Sequence, residues 1–218
     1  MKKIVVVFDL DDTLYAEIDF LKSAYKHIAK LLEVHLQQNI YDEMWQLYQS
    51  QQSTFDVIKQ KYSFPFSIAD LVHEYRFHQP QIDLVKTTQT FLDWVKKNTL
   101  ATALITDGRS ITQRNKIRAL GLEKYFDEVF ISEETGIEKP NIGAFMPIEI
   151  RYHGHKKIFI ADNPKKDFIA PNELGWTTIA LKNKGQNIHQ QDWNLPKDFL
   201  PKFYVAEINE AKNILLNL

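Results

Sequence analysis

The sequence contains no cysteine among its 218 residues and only seven glycines. The lack of cysteine excludes a disulfide framework, a thiolate zinc site and a cysteine nucleophile. Any metal ion must therefore be held by oxygen or imidazole ligands. The sequence also lacks any segment that approaches the roughly 20 apolar residues of a membrane span. A membrane is therefore not an expected partner.

The chain has no excess of charge of either sign. Its 27 lysines and arginines nearly balance 28 aspartates and glutamates, which gives a formal net charge of -1. Such a chain has no global positive field to hold nucleic acid or an anionic membrane, so neither interaction is expected. The apolar start from Ile4 to Phe8 ends at Asp9, far too soon for a signal peptide. We therefore expect a cytoplasmic protein.

Short apolar runs predict the strands of a parallel β-sheet. The first, from Ile4 to Phe8, is β-branched and does not alternate with polar residues, which is typical of a strand buried on both faces. Helical patterns, such as the one at residues 111–120, separate the later runs. This alternation predicts a doubly wound α/β fold. The later runs lie at residues 100–105, 128–131, 157–161 and 177–181.

Residues 16–86 interrupt the alternation, because apolar side chains recur there at helical spacing without a convincing strand pattern. We expect residues 1–15 and 87–218 to form the α/β core and residues 16–86 to form an inserted helical domain. Phe64 and Phe66, at a break between insert helices, are expected either to reach a ligand or to pack inside the insert. The insert helices are predicted at residues 16–37, 40–50, 53–61 and 67–78.

Polar residues follow the predicted strands at the edge where open parallel sheets bind ligands. Asp9 and Asp11 come directly after the first run, and residues i and i+2 of an extended segment point to the same side. Clustered carboxylates repel one another unless a cation lies among them, and oxygen ligands near an anionic substrate suit Mg²⁺. The later strand ends and loops carry Thr106, Asp107, Gly108, Lys139, Asp162 and Asp167.

This set of groups predicts metal-assisted phosphoryl transfer. Thr106 and Lys139 are suited to hold phosphate oxygens. One carboxylate could attack phosphorus, and its neighbour could move the proton. Lys165 and Lys166, between the last two aspartates, are expected to be surface charges.

The order Asp-x-Asp-x-Thr, Thr-Asp-Gly, Lys-Pro and Asp-x-x-x-x-Asp resembles the phosphatase branch of the haloacid dehalogenase (HAD) superfamily, over nearly the whole chain. The resemblance implies a Rossmann-like core with a helical cap between the first two motifs. It implies Asp9 as the nucleophile and Asp11 as the general acid and base. Asp107 stands where the family commonly has asparagine. The other implied roles are phosphate binding by Thr106, Asp107 and Gly108, a steadying cation at Lys139, Mg²⁺ binding by Asp9, the Asp11 backbone carbonyl and Asp162, and support from Asp167.

The resemblance further implies a Mg²⁺-dependent phosphomonoester hydrolase that works through an aspartyl phosphate. Its expected substrate is a small soluble metabolite, either a sugar phosphate or a nucleoside monophosphate. Alternatives are a phosphomutase of the same superfamily and a non-enzymatic phosphoacceptor or binding protein. Both a monomer and a homodimer are compatible with the sequence.

Overall fold

The structure is a computed structural model that describes residues 3–183, 185 and 187–218. Its strands are β1 (Ile4–Phe8), β2 (Ala101–Thr106), β3 (Glu128–Ile131), β4 (Lys156–Ala161), β5 (Thr177–Leu181) and β6 (Phe203–Val205). These strands form a parallel sheet in the order β3-β2-β1-β4-β5-β6. The predicted α/β fold is confirmed, and β6 is an edge strand that the apolar pattern did not predict.

The helices of the described residues flank the sheet or lie in the predicted insert. No described helix is both long enough and apolar enough to cross a membrane. The helices are α1 (Glu17–Leu36), α2 (Tyr41–Gln49), α3 (Thr54–Lys61), α4 (Ile68–Phe77), α5 (Lys86–Asn98), α6 (Ser110–Ala119), α7 (Ser132–Thr135), α8 (Met146–Arg151), α9 (Ile169–Glu173) and α10 (Ala211–Leu216), with 3₁₀ turns at Ile142–Ala144, Lys197–Phe199 and Ile208–Glu210.

Strand β1 lies between β2 and β4 and is buried on both faces. Alternate side chains enter different hydrophobic clusters: Val6 and Phe8 belong to one, Val5 and Val7 to the other. This double burial explains the absence of polar alternation in the sequence of β1. From β1 the strand order runs outward through β2 and β3 on one side and through β4, β5 and β6 on the other. The carboxyl end of β1 therefore lies at a topological switch point, where such folds bind ligands.

Helices α1 to α4 have a hydrophobic cluster of their own. Their bounds agree with the helical spacing in the sequence to within two residues at each end. Phe64 is 7 % exposed and packs inside this cluster, with Phe66 against its edge. Both aromatic residues therefore serve packing within the insert. The division of the chain into a core and an insert at residues 16–86 stays a prediction.

Candidate active site

The loop after β1 carries the first two aspartates into one cavity. The Asp9 backbone N–H donates to the Ile160 carbonyl at 3.0 Å, so the pairing of β1 with β4 continues into the loop. Asp12 then adopts a left-handed conformation with a φ of 53°, which aspartate tolerates better than most residues. The side chains of Asp9 and Asp11 both line the cavity at this edge of the sheet.

Lys139 links Asp9 to Asp167 beneath the cavity. Its Nζ lies 2.7 Å from an oxygen of each carboxylate, and its side chain has no exposed surface. Burial alone would lower the pKa of Lys139, but the negative charges of Asp167 and Asp9 outweigh burial and raise the pKa above its ordinary value. The lysine is therefore a fixed cation that holds one oxygen of Asp9 in place.

Asp9, Asp162 and Asp167 form a carboxylate cluster that could hold a metal ion. One oxygen from each lies within 4.8 Å of the others, and all three residues are buried. Burial, followed by the charges of Asp167 and Asp9, raises the pKa of Asp162 to about 9. Burial likewise raises the pKa of Asp9 to about 6, against the lowering effect of Lys139. Lys139 is one positive charge beside three buried carboxylates, so the cluster keeps an excess of negative charge. Such a set of oxygen donors fits a hard divalent cation such as Mg²⁺.

The carboxylate of Asp11 is held differently from that of Asp9. It accepts hydrogen bonds from the Tyr15 hydroxyl at 2.6 Å and the Gln113 amide at 2.9 Å, and it lies 2.7 Å from the Lys116 ammonium. Burial would raise the pKa of Asp11, but the Lys116 charge and these hydrogen bonds outweigh it and lower the pKa. The two aspartates thus have pKa values shifted in opposite directions: burial favours the protonated form of Asp9, whereas Lys116 favours the ionised form of Asp11.

Helix α6 supplies two of the three partners of Asp11, Gln113 and Lys116, from a buried polar face. Thr112, Gln113, Asn115 and Lys116 are all buried, although all four are polar. Gln113 bridges Asp11 and the Thr106 hydroxyl, to which it donates at 2.6 Å. Gln113 and Lys116 were not predicted as site residues, because a polar helical residue is normally exposed. Their position on the helix that begins just after Thr106-Asp107-Gly108 could have indicated that they lie near the site.

The Thr106-Asp107-Gly108 segment lies at the end of β2, as predicted. Thr106 and Asp107 line the cavity. One Asp107 oxygen accepts the Lys139 backbone N–H at 3.1 Å, and the other lies 3.1 Å from the Lys166 ammonium. Gly108 has a φ of 140°, which only glycine adopts readily, and its N–H donates to the Ser132 hydroxyl at 2.9 Å. That N–H is therefore already engaged within the protein.

The fourth predicted motif brings Asn163 and Lys166 to the site in addition to its two aspartates. Asp162 lines the cavity, while Asp167 is fully buried and accepts the Asn163 backbone N–H at 2.9 Å. The expectation that Lys166 is a surface charge is wrong. Its side chain is 35 % exposed and forms part of the cavity wall, whereas Lys165 is exposed to solvent. The short turn between the two aspartates directs the side chain of Lys166 inward.

The segment after β5 also reaches the site, which the sequence did not indicate. The Asn187 side-chain amide donates to an Asp162 oxygen at 2.8 Å, and the Gln191 amide donates to the Asp162 carbonyl at 2.7 Å. His189 lines the cavity. The sequence does not predict these contacts, because polar residues are common in loops and only the tertiary structure brings this segment to Asp162.

The cavity itself is small, with a volume of about 140 Å³. The predicted site residues all lie in or near this cavity, at one edge of the sheet. Lys139 and Asp167 lie beneath the cavity, and Gly108 lies beside it. The side chains that line it come from the β1 loop, α1, the end of β2, the β4 loop and the segment after β5: Asp9, Asp11, Asp12, Glu17, Thr106, Asp107, Asp162, Asn163, Lys166 and His189.

Comparison with known proteins agrees with this geometry. Residues 6–181 match the family model described as haloacid dehalogenase-like hydrolase. The glyceraldehyde 3-phosphate phosphatase of Methanocaldococcus jannaschii is 25 % identical over 98 % of this chain and 97 % of its own. The pyrimidine 5'-nucleotidase YjjG of Escherichia coli is 28 % identical over 51 % of this chain and 48 % of its own. YfnB of Bacillus subtilis, with a crystal structure bound to magnesium, has a TM-score of 0.68 at 19 % identity, and the match covers 97 % of both chains.

The chain belongs to the haloacid dehalogenase-like hydrolase family, since the family model covers most of its length. The predicted enzyme class, a phosphatase of this superfamily that acts on phosphoric monoesters, is confirmed.

Proposed function

We propose that the chain is a Mg²⁺-dependent phosphomonoester hydrolase that acts on a small sugar phosphate through an aspartyl phosphate on Asp9. The observation that carries the proposal is the placement of the Asp9 carboxylate in the cavity, 2.7 Å from Lys139 and beside Asp162 and Asp167. A carboxylate fixed by a buried cation has a defined orientation toward an incoming phosphorus atom.

Mg²⁺ fits the carboxylate cluster, and we propose that Asp9, the Asp11 backbone carbonyl and Asp162 hold it. Bound there, the ion would neutralise charge on the phosphoryl group and allow an anion to approach the carboxylates. Asp167 supports the site in a different way, because its carboxylate is paired with Lys139 and accepts the Asn163 N–H. The magnesium found with YfnB adds support for a metal in a similar fold.

The reaction has two half-reactions that use the same groups. An Asp9 oxygen attacks phosphorus, and the bond from phosphorus to the ester oxygen breaks. Asp11 takes up a proton when the negative charge of the substrate phosphate enters the cavity, and it gives that proton to the ester oxygen. Water then attacks phosphorus, Asp11 takes a proton from the water, and the bond to Asp9 breaks to release phosphate. The Thr106 hydroxyl and the backbone N–H of Asp107 are suited to hold the phosphoryl oxygens.

The size of the cavity favours a compact substrate. Its volume of about 140 Å³ is small beside the roughly 300–1,000 Å³ typical of larger ligand pockets. The Methanocaldococcus relative, which acts on glyceraldehyde 3-phosphate, matches almost the whole chain. We therefore rank three-carbon sugar phosphates first and nucleoside monophosphates second. We also propose that the helices of residues 16–86 act as a cap over the leaving group.

A screen for released phosphate tests the proposal. It compares glyceraldehyde 3-phosphate with larger sugar phosphates, nucleoside monophosphates and p-nitrophenyl phosphate, each with Mg²⁺ and with EDTA. We expect Mg²⁺-dependent release, fastest for a small sugar phosphate. Transfer of the phosphoryl group to a second sugar without release would instead support a phosphomutase. No turnover or transfer with any of these compounds would contradict an enzymatic function.

A further inference from the structure

Lys166 is a cavity residue that the proposed mechanism has not used. It lies in the tight turn between Asn163 and Asp167, where its own N–H donates to the Asn163 carbonyl at 3.3 Å. Asp167 holds the other side of the turn by accepting the Asn163 N–H. Because the turn is fixed by these bonds, the base of the Lys166 side chain is fixed as well.

The two lysines near Asp9 differ in what they can still bind. An ammonium has three N–H donors, and Lys139 directs donors at Asp9 and Asp167 while its side chain is fully enclosed. Lys166 has one carboxylate partner, Asp107, at the longer distance of 3.1 Å, and its side chain is 35 % exposed. Lys166 also lines the cavity. Among the described residues that line the cavity, Lys166 is the only lysine or arginine.

The charge around the cavity makes a second cation useful. Asp11, Asp12, Glu17 and Asp107 line it in addition to the carboxylates of the proposed metal site. A phosphate dianion would meet repulsion from these groups, and Lys139 is largely committed to holding Asp9. Asp107 is itself anchored, since its other oxygen accepts the Lys139 backbone N–H. It can therefore hold the Lys166 ammonium at the cavity wall until an anion arrives.

We propose that Lys166 is a substrate-binding residue whose ammonium donates directly to the phosphoryl group and to product phosphate. This inference rests on the proposed function and adds a second phosphate-binding cation to it. The rival role for Lys166 is simple neutralisation of Asp107, which would require no contact with the ligand. The two roles differ in what happens when the charge of Asp107 is also removed.

The test measures binding of inorganic phosphate by calorimetry in the presence of Mg²⁺, so that it does not depend on turnover. Lys166→Met should weaken binding about tenfold, because a charge-assisted hydrogen bond is lost. Lys166→Arg should retain most of the affinity. Lys165→Met is the matched control, since it removes the same charge from the exposed neighbour, and it should bind phosphate as the wild type does.

The double variant Asp107→Asn/Lys166→Met separates the two roles. Direct contact predicts that the double variant binds phosphate about tenfold more weakly than Asp107→Asn alone, because Lys166 still contributes its hydrogen bond when the charge of Asp107 is absent. Equal affinity of the double variant and Asp107→Asn would show that Lys166 only neutralises Asp107 and would overturn the inference. Unchanged affinity in a folded Lys166→Met protein would also overturn it. Failure of the proposed function is a separate result, namely the absence of phosphate release by the wild-type protein in the screen.

Discussion

At the scale of single residues, Asp11 is held by three neighbouring side chains. Its carboxylate contacts Lys116, Gln113 and Tyr15, so the group assigned to move the proton has a fixed position before any substrate binds. Lys116 is buried and also lies 3.7 Å from Glu17. We infer that Lys116 is a positioning residue that acts through Asp11.

Lys116→Met should therefore reduce proton transfer more than phosphate binding. We expect kcat on a sugar phosphate to fall about tenfold more than kcat on p-nitrophenyl phosphate, whose leaving group hardly needs a proton, within the roughly 10² to 10⁴ that acid and base groups contribute. KM should change little, and Lys116→Arg should restore much of the difference. Lys97→Met, at an exposed position of α5, is the control. Equal losses on both substrates, without a burst of leaving group that would reveal slow breakdown of the phosphoenzyme, would contradict the positioning role.

Glu17 provides a pH-dependent test at the same scale. Burial, followed by the charge of Asp11, raises the pKa of Glu17 from 4.5 to about 7. A carboxyl group whose folded pKa exceeds its unfolded value binds more protons in the folded state, so stability falls as pH rises from about 4.5 to about 7. Glu17→Gln cannot ionise and escapes this loss.

The Tm of Glu17→Gln relative to wild type should therefore increase between pH 5 and pH 8. A net effect on the order of 1 kcal/mol corresponds to about 2 to 4 °C for a chain of this size. Thermal unfolding followed by circular dichroism at both pH values measures the difference. The same Tm difference at pH 5 and at pH 8 would contradict the prediction, because it would show that the fold does not oppose ionisation of Glu17.

At the scale of elements, helix α6 joins the candidate site to the helical insert. Gln113 and Lys116 hold Asp11, while Asn115 donates to the Phe77 and His78 carbonyls at 3.3 and 3.2 Å. Thr112 donates to the Arg76 carbonyl at 3.1 Å. Adjacent polar residues of α6 thus contact both Asp11, the proposed general acid and base, and the end of α4.

Asn115→Ala should destabilise the protein by about 1–3 kcal/mol, because two carbonyls lose their side-chain donor. Urea unfolding measures the change. Arg114→Ala on the same helix is the control, since its ion pair with Glu134 lies near the surface and such pairs contribute about 0–1 kcal/mol. A cost for Asn115→Ala no greater than that for Arg114→Ala would contradict the role of α6 as a connection.

The elements also show which kinds of structure the sequence can predict. Strands β1, β2, β4 and β5 were predictable because buried parallel strands leave unbroken apolar runs. Strand β6 was not, since it has three residues, of which Phe203 and Tyr204 are exposed at the edge of the sheet. The polar buried face of α6 contradicts the usual helical pattern, and only the fold shows that Lys116 faces Asp11.

At the scale of the whole molecule, the near-zero net charge conceals a local excess of carboxylates around the cavity. Carboxylates concentrate at one edge of the sheet, where Lys139, Lys116 and Lys166 are their buried or partly buried partners. The order of the motifs was enough to bring Asp9, Asp11, Thr106, Lys139 and Asp162 together. It could not show Asn187 or Gln191, which reach Asp162 from a segment without a chemical pattern of its own.

The central claim is that Asp9 carries the phosphoryl group during turnover, and trapping that group tests it most directly. The enzyme is mixed rapidly with a substrate identified in the screen and Mg²⁺, quenched in acid, reduced with borohydride and analysed by peptide mass spectrometry. We expect modification at Asp9, more of it in Asp11→Asn because breakdown is slowed, and none with EDTA or in Asp9→Asn. If the wild type releases phosphate but a residue other than Asp9 is modified, the claim is wrong. Modification of Asp9 to the same extent in EDTA as in Mg²⁺ would contradict the role of the metal.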